Sequence, residues 1–297
     1  MVNAISSLVS EELEELGGWE GTVAAPNGSI YGIPYYARRA VKFNSLDESI
    51  TRIEPDLSED DIYKWFRGAM TNNGIIYCPP YDRRRGILRI DTNTDTVTVL
   101  DVNLFPERGH CMFESCATAL NGCIYFMPHN TRRIMKLDPN NNDAISSVGD
   151  DLGYGCKYIG TVTGIDGCVY GTPFVFSRIV KYNPINDSTC YLGEEADSHM
   201  YCSKNGVLGR DGRVHAVVRD RRVLKIDTTN NSHCIVGNEI DRDCGVTGRI
   251  DGILGIDGCI YWPPSNAAEI LKYDPHSNLT SLVGDDFGTH DACKWRR

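Results

Sequence analysis

A tyrosine or histidine follows an Asn-Gly or Asp-Gly pair six times, at Tyr31, Tyr77, Tyr125, Tyr170, His215 and Tyr261, at spacings of 46, 48, 45, 45 and 46 residues. A fixed period of this length restricts the chain to a repeat array, in which one supersecondary unit is copied and its apolar faces are buried against its neighbours. The repeat runs without interruption through 297 residues, which favours one large all-β domain over two average ones.

The third copy shows the unit. A short apolar run leads into Asn121-Gly122, then Cys123-Ile-Tyr-Phe-Met127, a loop from Pro128, and Ile134-Met-Lys-Leu137. Asn-Gly between apolar runs predicts a two-residue type I′ hairpin joining an inner strand a to strand b. Strand c alternates: Val41, Leu88, Met135, Val180, Leu224 and Leu271 share one face, and Lys42, Arg89, Lys136, Lys181, Lys225 and Lys272 the other. The basic column is expected to be solvated. An Asn or Asp after each strand c marks the turn into an outer strand d.

Four short antiparallel strands per repeat make a propeller blade. The pattern G-x-I-Y-x-x-P…V-L-K-x-D-P resembles the kelch-like and YVTN-like propeller repeats over nearly the whole chain, and the resemblance implies architecture without naming an activity. The expected fold is all-β, a β-propeller with six complete four-stranded blades at 19–57, 64–101, 113–152, 157–196, 203–240 and 249–287. Residues 3–9 read as an extra outer strand and 294–297 as a stub of an inner one. The alternative is a seven-bladed ring or a fragment of a longer array.

A net charge of −10 disfavours nucleic-acid binding, which draws on a basic surface, and no apolar run is long enough to span a membrane. The first 18 residues carry no basic-then-apolar leader, so a cytoplasmic monomer is expected. Of twelve cysteines, Cys123, Cys168 and Cys259 share one column, too far apart to bridge across blades, and no C-x-x-C pair suggests zinc. Free thiols, no metal and no cofactor are expected. Asp91-Thr-Asn93-Thr-Asp95 imitates the start of a calcium loop but lacks its later Gly and Glu.

Function in such a scaffold concentrates on the longer b–c and d–a loops, which share one face. The b–c loops carry a basic crown of Arg38, Arg39, Arg83, Arg84, Arg132, Arg133, Arg178, Arg221 and Arg222, interleaved with Tyr35, Tyr36, Tyr81, Phe174, Phe176 and Trp262. Arg, Tyr and Trp dominate interface hot spots, and planar guanidinium forks suit a carboxylate or phosphate. The expected role is therefore a non-catalytic scaffold that holds another protein, through an acidic or phosphorylated segment. Acidic d–a loops lie on the same face, so pairing of the crown between neighbouring blades competes with that role. The rival is a small-molecule hydrolase or lyase working in the central channel, where Glu114 and Asp251 intrude among small a-strand residues with Arg67 and Lys204 nearby. The seven histidines are scattered and form no recognisable catalytic motif.

Overall fold

The computed structural model describes residues 18–57, 63–82, 85–101, 111–174, 178–193, 202, 205–218, 221–238, 251–263 and 269–284. Twenty-four strands form six four-stranded antiparallel sheets arranged as a β-propeller, each built from consecutive strands. Blade 1 holds β1 (Trp19–Ala24), β2 (Ser29–Pro34), β3 (Ala40–Asn44) and β4 (Ile50–Ile53), and blade 2 holds β5 (Ala69–Met70), β6 (Ile75–Cys78), β7 (Ile87–Asp91) and β8 (Thr96–Leu100). Blade 3 comprises β9 (Phe113–Thr118), β10 (Ile124–Pro128), β11 (Ile134–Asp138) and β12 (Ala144–Val148); blade 4, β13 (Tyr158–Thr163), β14 (Val169–Pro173), β15 (Ile179–Asn183) and β16 (Ser188–Leu192). Blade 5 is β17 (Val207–Leu208), β18 (Arg213–Val217), β19 (Val223–Asp227) and β20 (His233–Val236), and blade 6 is β21 (Ile253–Leu254), β22 (Ile260–Trp262), β23 (Ile270–Asp274) and β24 (Leu279–Val283). Six blades replace the seven-bladed alternative. The segments 3–9 and 294–297 lie outside the described residues.

The a–b turns differ from expectation. Gly28 N bonds Ala25 O and Ala25 N bonds Ser29 O, and only the glycine has a positive φ, between 74° and 82° in the six copies. This is a type I turn closed by a left-handed glycine, a three-residue loop, because Asn27 and its equivalents keep negative φ. Their side chains instead accept from the amide two residues on, as Asn121 Oδ1 does from Cys123 N at 3.1 Å.

The basic column is not merely solvated. Each c–d turn carries a left-handed residue at one repeated position, Glu48, Asp95, Asp143, Asp187, Asn231 and Asn278, and in blade 3 the preceding Asn142 is left-handed too. At five seams that residue bonds the preceding blade. Asp95 receives Tyr31 Oη at 2.6 Å and Lys42 Nζ at 2.7 Å; Asp143 receives Tyr77 Oη at 2.5 Å with Arg89 Nε at 3.6 Å. Asp187 receives Gly149 N at 2.8 Å, Asn231 receives Lys181 Nζ at 2.6 Å and Asn278 receives Lys225 Nζ at 2.8 Å. The Asp91–Asp95 segment thus latches blade 2 to blade 1. Burial, and then the bond to Asp143, push the Tyr77 phenol up to about 12.

Between these latches, apolar clusters join blade 1 to 2, 2 to 3, 3 to 4, 4 to 5 and 5 to 6. The ten described cysteines are all free.

Candidate functional site at the channel mouth

The inner strands shift register where they approach the b–c and d–a face, between Trp19 and Thr22 in β1, against Phe126 and Pro128 in blade 3, and between Tyr158 and Gly160 in β13. An extra residue in a strand bends it and re-aims a side chain. In blade 3 the shift covers Glu114 and Ser115. Glu114 is 1% exposed. Its Oε1 lies 3.8 Å from Nε2 of His129, which follows β10 in the b–c loop and is itself buried. His129 Nδ1 lies 2.9 Å from the Tyr158 carbonyl. A carbonyl only accepts, so that contact requires the proton on Nδ1 and leaves Nε2 facing the carboxylate. Phe174 covers the imidazole at 5.4 Å between ring centroids.

Beside this pair, Arg67 precedes β5 and reaches across the channel. Its Nε meets the Asp251 carboxylate at 2.6 Å, and Nη1 donates to the carbonyls of Glu114 at 3.3 Å and Ile159 at 3.4 Å. One guanidinium thereby touches blades 3, 4 and 6 while its carbon rests 4.6 Å from the Phe66 ring centroid. Ser115 Oγ and Thr161 Oγ1 are 2.7 Å apart, and Asn205 Oδ1 accepts from Thr161 N at 2.9 Å, extending the polar lining to blade 5. The Asp251 side chain keeps 35% exposure, so water reaches this cluster.

Five rings form a wall on the same face. Tyr35 contacts Tyr36, Tyr63, Phe66 and Tyr81 with centroids 4.7–5.8 Å away. Tyr35, Phe66 and Tyr81 are buried with Cys111 packed against them, whereas Tyr36 and Tyr63 keep 37% and 38% exposure. Cys111 Sγ donates to Tyr81 Oη at 2.5 Å.

The crown residues are largely committed within their own blades. Arg38 pairs with Asp56 at 2.6 Å, Arg39 with Glu54 at 2.8 Å, and Arg132 with Asp151. These pairs join a b–c loop to the d–a loop of the same blade instead of a neighbouring one. The Arg132 guanidinium holds the Asp151 carboxyl below the usual range. Arg133 donates to Gly149 O at 2.6 Å, and Arg178 lies 4.5 Å from the Tyr191 ring centroid. Arg222 lies beside β19 with partners of its own. Tyr35, Tyr81, Trp262 and Arg221 are buried: Trp262 packs in the cluster between blades 5 and 6, and Arg221 sits in a turn at φ 68°. Phe174 packs on the blade 4–5 cluster. Arg83, Arg84, Phe176 and Lys204 lie outside the described residues. Glu114 and Asp251, the intruders of the inner strands, converge on Arg67. His129 was lost among scattered histidines, its only sequence signal being its place directly after Pro128 at the end of strand b. No group of three or more His, Cys, Asp and Glu is placed to hold a metal among the described residues.

Solved structures share the fold of this chain. Virginiamycin B lyase from Staphylococcus aureus superposes with a TM-score of 0.74 at 14% identity, covering 93% of this chain and 87% of that one. The protein is a six-bladed β-propeller similar to virginiamycin B lyase. A streptogramin B lyase gives 0.73 at 16% identity over 92% of this chain and 85% of that one. The extracellular domain of a hybrid two-component system from B. thetaiotaomicron gives 0.62 at 8% identity over 93% of this chain and 36% of that one. Likeness at these identities establishes the fold alone. No protein-family model matches the chain. No curated protein matches it either.

Proposed function

We propose that the chain binds and transforms a small molecule at the channel mouth, with His129 and Glu114 exchanging a proton with it and Arg67 fixing its negative charge. The carrying observation is the buried Glu114–His129 contact at 3.8 Å, oriented by the Tyr158 carbonyl and placed beside a guanidinium. A carboxylate and an imidazole whose tautomer is fixed form a general acid–base pair. The similarity to lyases supports the same reading: a catalytically inactive His-to-Ala variant of the Staphylococcus aureus enzyme was solved with quinupristin. The test is product formation, read by mass spectrometry, from a small-molecule panel that includes quinupristin. Glu114→Gln and His129→Gln are each expected to lose turnover by about 100-fold or more while remaining folded, the usual contribution of a proton-transfer group. Turnover that survives both substitutions overturns the assignment.

A second reading, a scaffold for an acidic or phosphorylated protein segment, is favoured by one observation: Tyr36 and Tyr63 stay half-exposed, and Arg38, two residues along from Tyr36, keeps 55% of its side-chain surface. A phosphopeptide bound by the natural chain and lost by Tyr36→Ala with Arg38→Glu would support it. Equal binding by both proteins would remove it.

A further inference from the structure

Among the described residues, the seam between blades 6 and 1 lacks the devices that close the others. By the repeat, Tyr261 and Lys272 should reach Glu48, the left-handed turn residue of blade 1 at φ 58°. Tyr261 Oη donates to Asp257 of its own blade at 2.7 Å and Lys272 Nζ lies 3.4 Å from the same carboxylate, as Tyr170 and Lys181 of blade 4 bond Asp166, but Lys181 also reaches Asn231 of the next blade at 2.6 Å. No such latch to Glu48 exists among the described residues. Nor does any apolar cluster among them bridge these two blades, whereas each of the other five seams has one.

Exposure of equivalent residues gives the same answer from both sides. On the face of blade 4 that meets blade 5, Val162, Tyr170, Ile179 and Leu192 are buried. Their counterparts on blade 6 are Ile253, Tyr261, Ile270 and Val283; Ile253 is 60% exposed against 7% for Val162, and the other three are half-buried. On the opposite side, Tyr158, Val169, Val180 and Tyr182 of blade 4 are buried against blade 3, while their counterparts Trp19, Ile30, Val41 and Phe43 of blade 1 are all half-buried. Two apolar faces therefore stand incompletely closed on each other.

Among the described residues, the ion pair of Asp251 with Arg67 ties blade 6 to blade 2, on the far side of blade 1. We infer that the blade 6–1 seam is the ring's opening point and that the Arg67–Asp251 pair in the channel mouth is its clasp. A ligand whose carboxylate or phosphate competes with Asp251 for Arg67 releases the clasp, so occupancy of the channel and opening of the ring are coupled. Opening of this kind is sub-global: the strands flanking the seam exchange with solvent while the rest of the ring holds. Whether the site turns over a substrate is immaterial to the clasp.

Hydrogen exchange followed by mass spectrometry on the full chain tests this. Peptides over β1–β3 and β21–β24 are expected to exchange about tenfold faster than the matching peptides of β13–β16. Asp251→Asn is expected to accelerate those two regions by about another tenfold, whereas Asp95→Asn, at the seam between blades 1 and 2, leaves the ratio between blades 6 and 4 unchanged. Uniform protection around the natural ring overturns the inference. So does an Asp251→Asn effect spread evenly over all blades. Should that variant not fold, the exchange gradient of the natural chain decides alone, and turnover by the same preparations reports separately on the proton-transfer pair.

Discussion

Replacing Asp95 by alanine tests the claim that the repeated Tyr and Lys columns hold blades together. Asp95 accepts from the Tyr31 hydroxyl at 2.6 Å and from Lys42 at 2.7 Å, both on the neighbouring blade. Burial opposes ionisation, yet these two bonds hold its carboxyl below the usual range. A hydrogen bond to a charged group contributes about 1.5–3 kcal/mol, and an exposed ion pair adds at most about 1. Because the Asp95 side chain is 42% exposed, the lower figure of each range applies. Tyr31 is fully buried and is left with Asn27 and a long 3.3 Å contact to Thr92 O, and alanine at φ 53° adds backbone strain of about 1 kcal/mol. The sum is about 3 kcal/mol for Asp95→Ala, or roughly 6 °C in Tm for a domain of this size. Asp95→Asn keeps an acceptor and a residue that tolerates the left-handed region, as Asn231 and Asn278 do at the same place facing Lys181 and Lys225. It should cost under about 1 kcal/mol. Thermal unfolding followed by circular dichroism separates the two. The sign with pH follows from the depressed carboxyl: its contribution is complete above the unfolded value near 4 and disappears as pH falls through the folded one, so the gap between natural chain and Asp95→Ala should narrow toward pH 3. Equal melting of Asp95→Ala and Asp95→Asn at neutral pH would refute the latch.

Three further outcomes follow from individual positions. His215 is fully buried with Nε2 3.0 Å from Asp211, and burial holds its protonation below the ordinary range despite that carboxylate; the unfolded chain then binds the proton first, so stability should fall as pH drops below about 6.5. His215→Tyr restores the repeat, in which Tyr170 and Tyr261 bond the matching Asp166 and Asp257 at 2.8 and 2.7 Å, and should raise stability by about 1 kcal/mol and flatten that pH dependence; a loss of stability would count against the equivalence. Gly86→Ala places a methyl 1.9 Å from the Leu100 carbonyl oxygen, a backbone atom that cannot swing away, and should lower stability by about 2 kcal/mol or more in urea unfolding; a neutral result would mean β7 and β8 are spaced more widely. Thiol labelling of the native chain should modify Cys156, Cys190 and Cys234 quickly, while Cys78, Cys116 and Cys202, whose thiols burial pushes up, react only on unfolding; rapid labelling of Cys202 would contradict the blade 4–5 core.

The sequence by itself determined the ring. A period near 46 residues, glycine at the sixth-fold repeated turn and alternation along strand c are local signals, and each depends on a residue's own backbone preference or on which face of a strand it occupies. The turn type escaped it because Asn-Gly serves both a two-residue loop and a type I turn closed by glycine, and only the Gly28-to-Ala25 hydrogen bond distinguishes them. The seam latches escaped it as well: Lys42 looks like any solvent-facing lysine until Asp95, 53 residues on, arrives from another blade. The channel mouth was half legible. Glu114, Asp251 and Arg67 broke an otherwise small and apolar inner column, but their meeting across 184 residues depends on six sheets closing around one axis. His129 joins them only because a register shift in blade 3 turns Glu114 toward the loop after β10. Periodicity is written in neighbouring residues, whereas proximity between blades is produced by packing, and that is why the architecture could be read before folding and the site only in part.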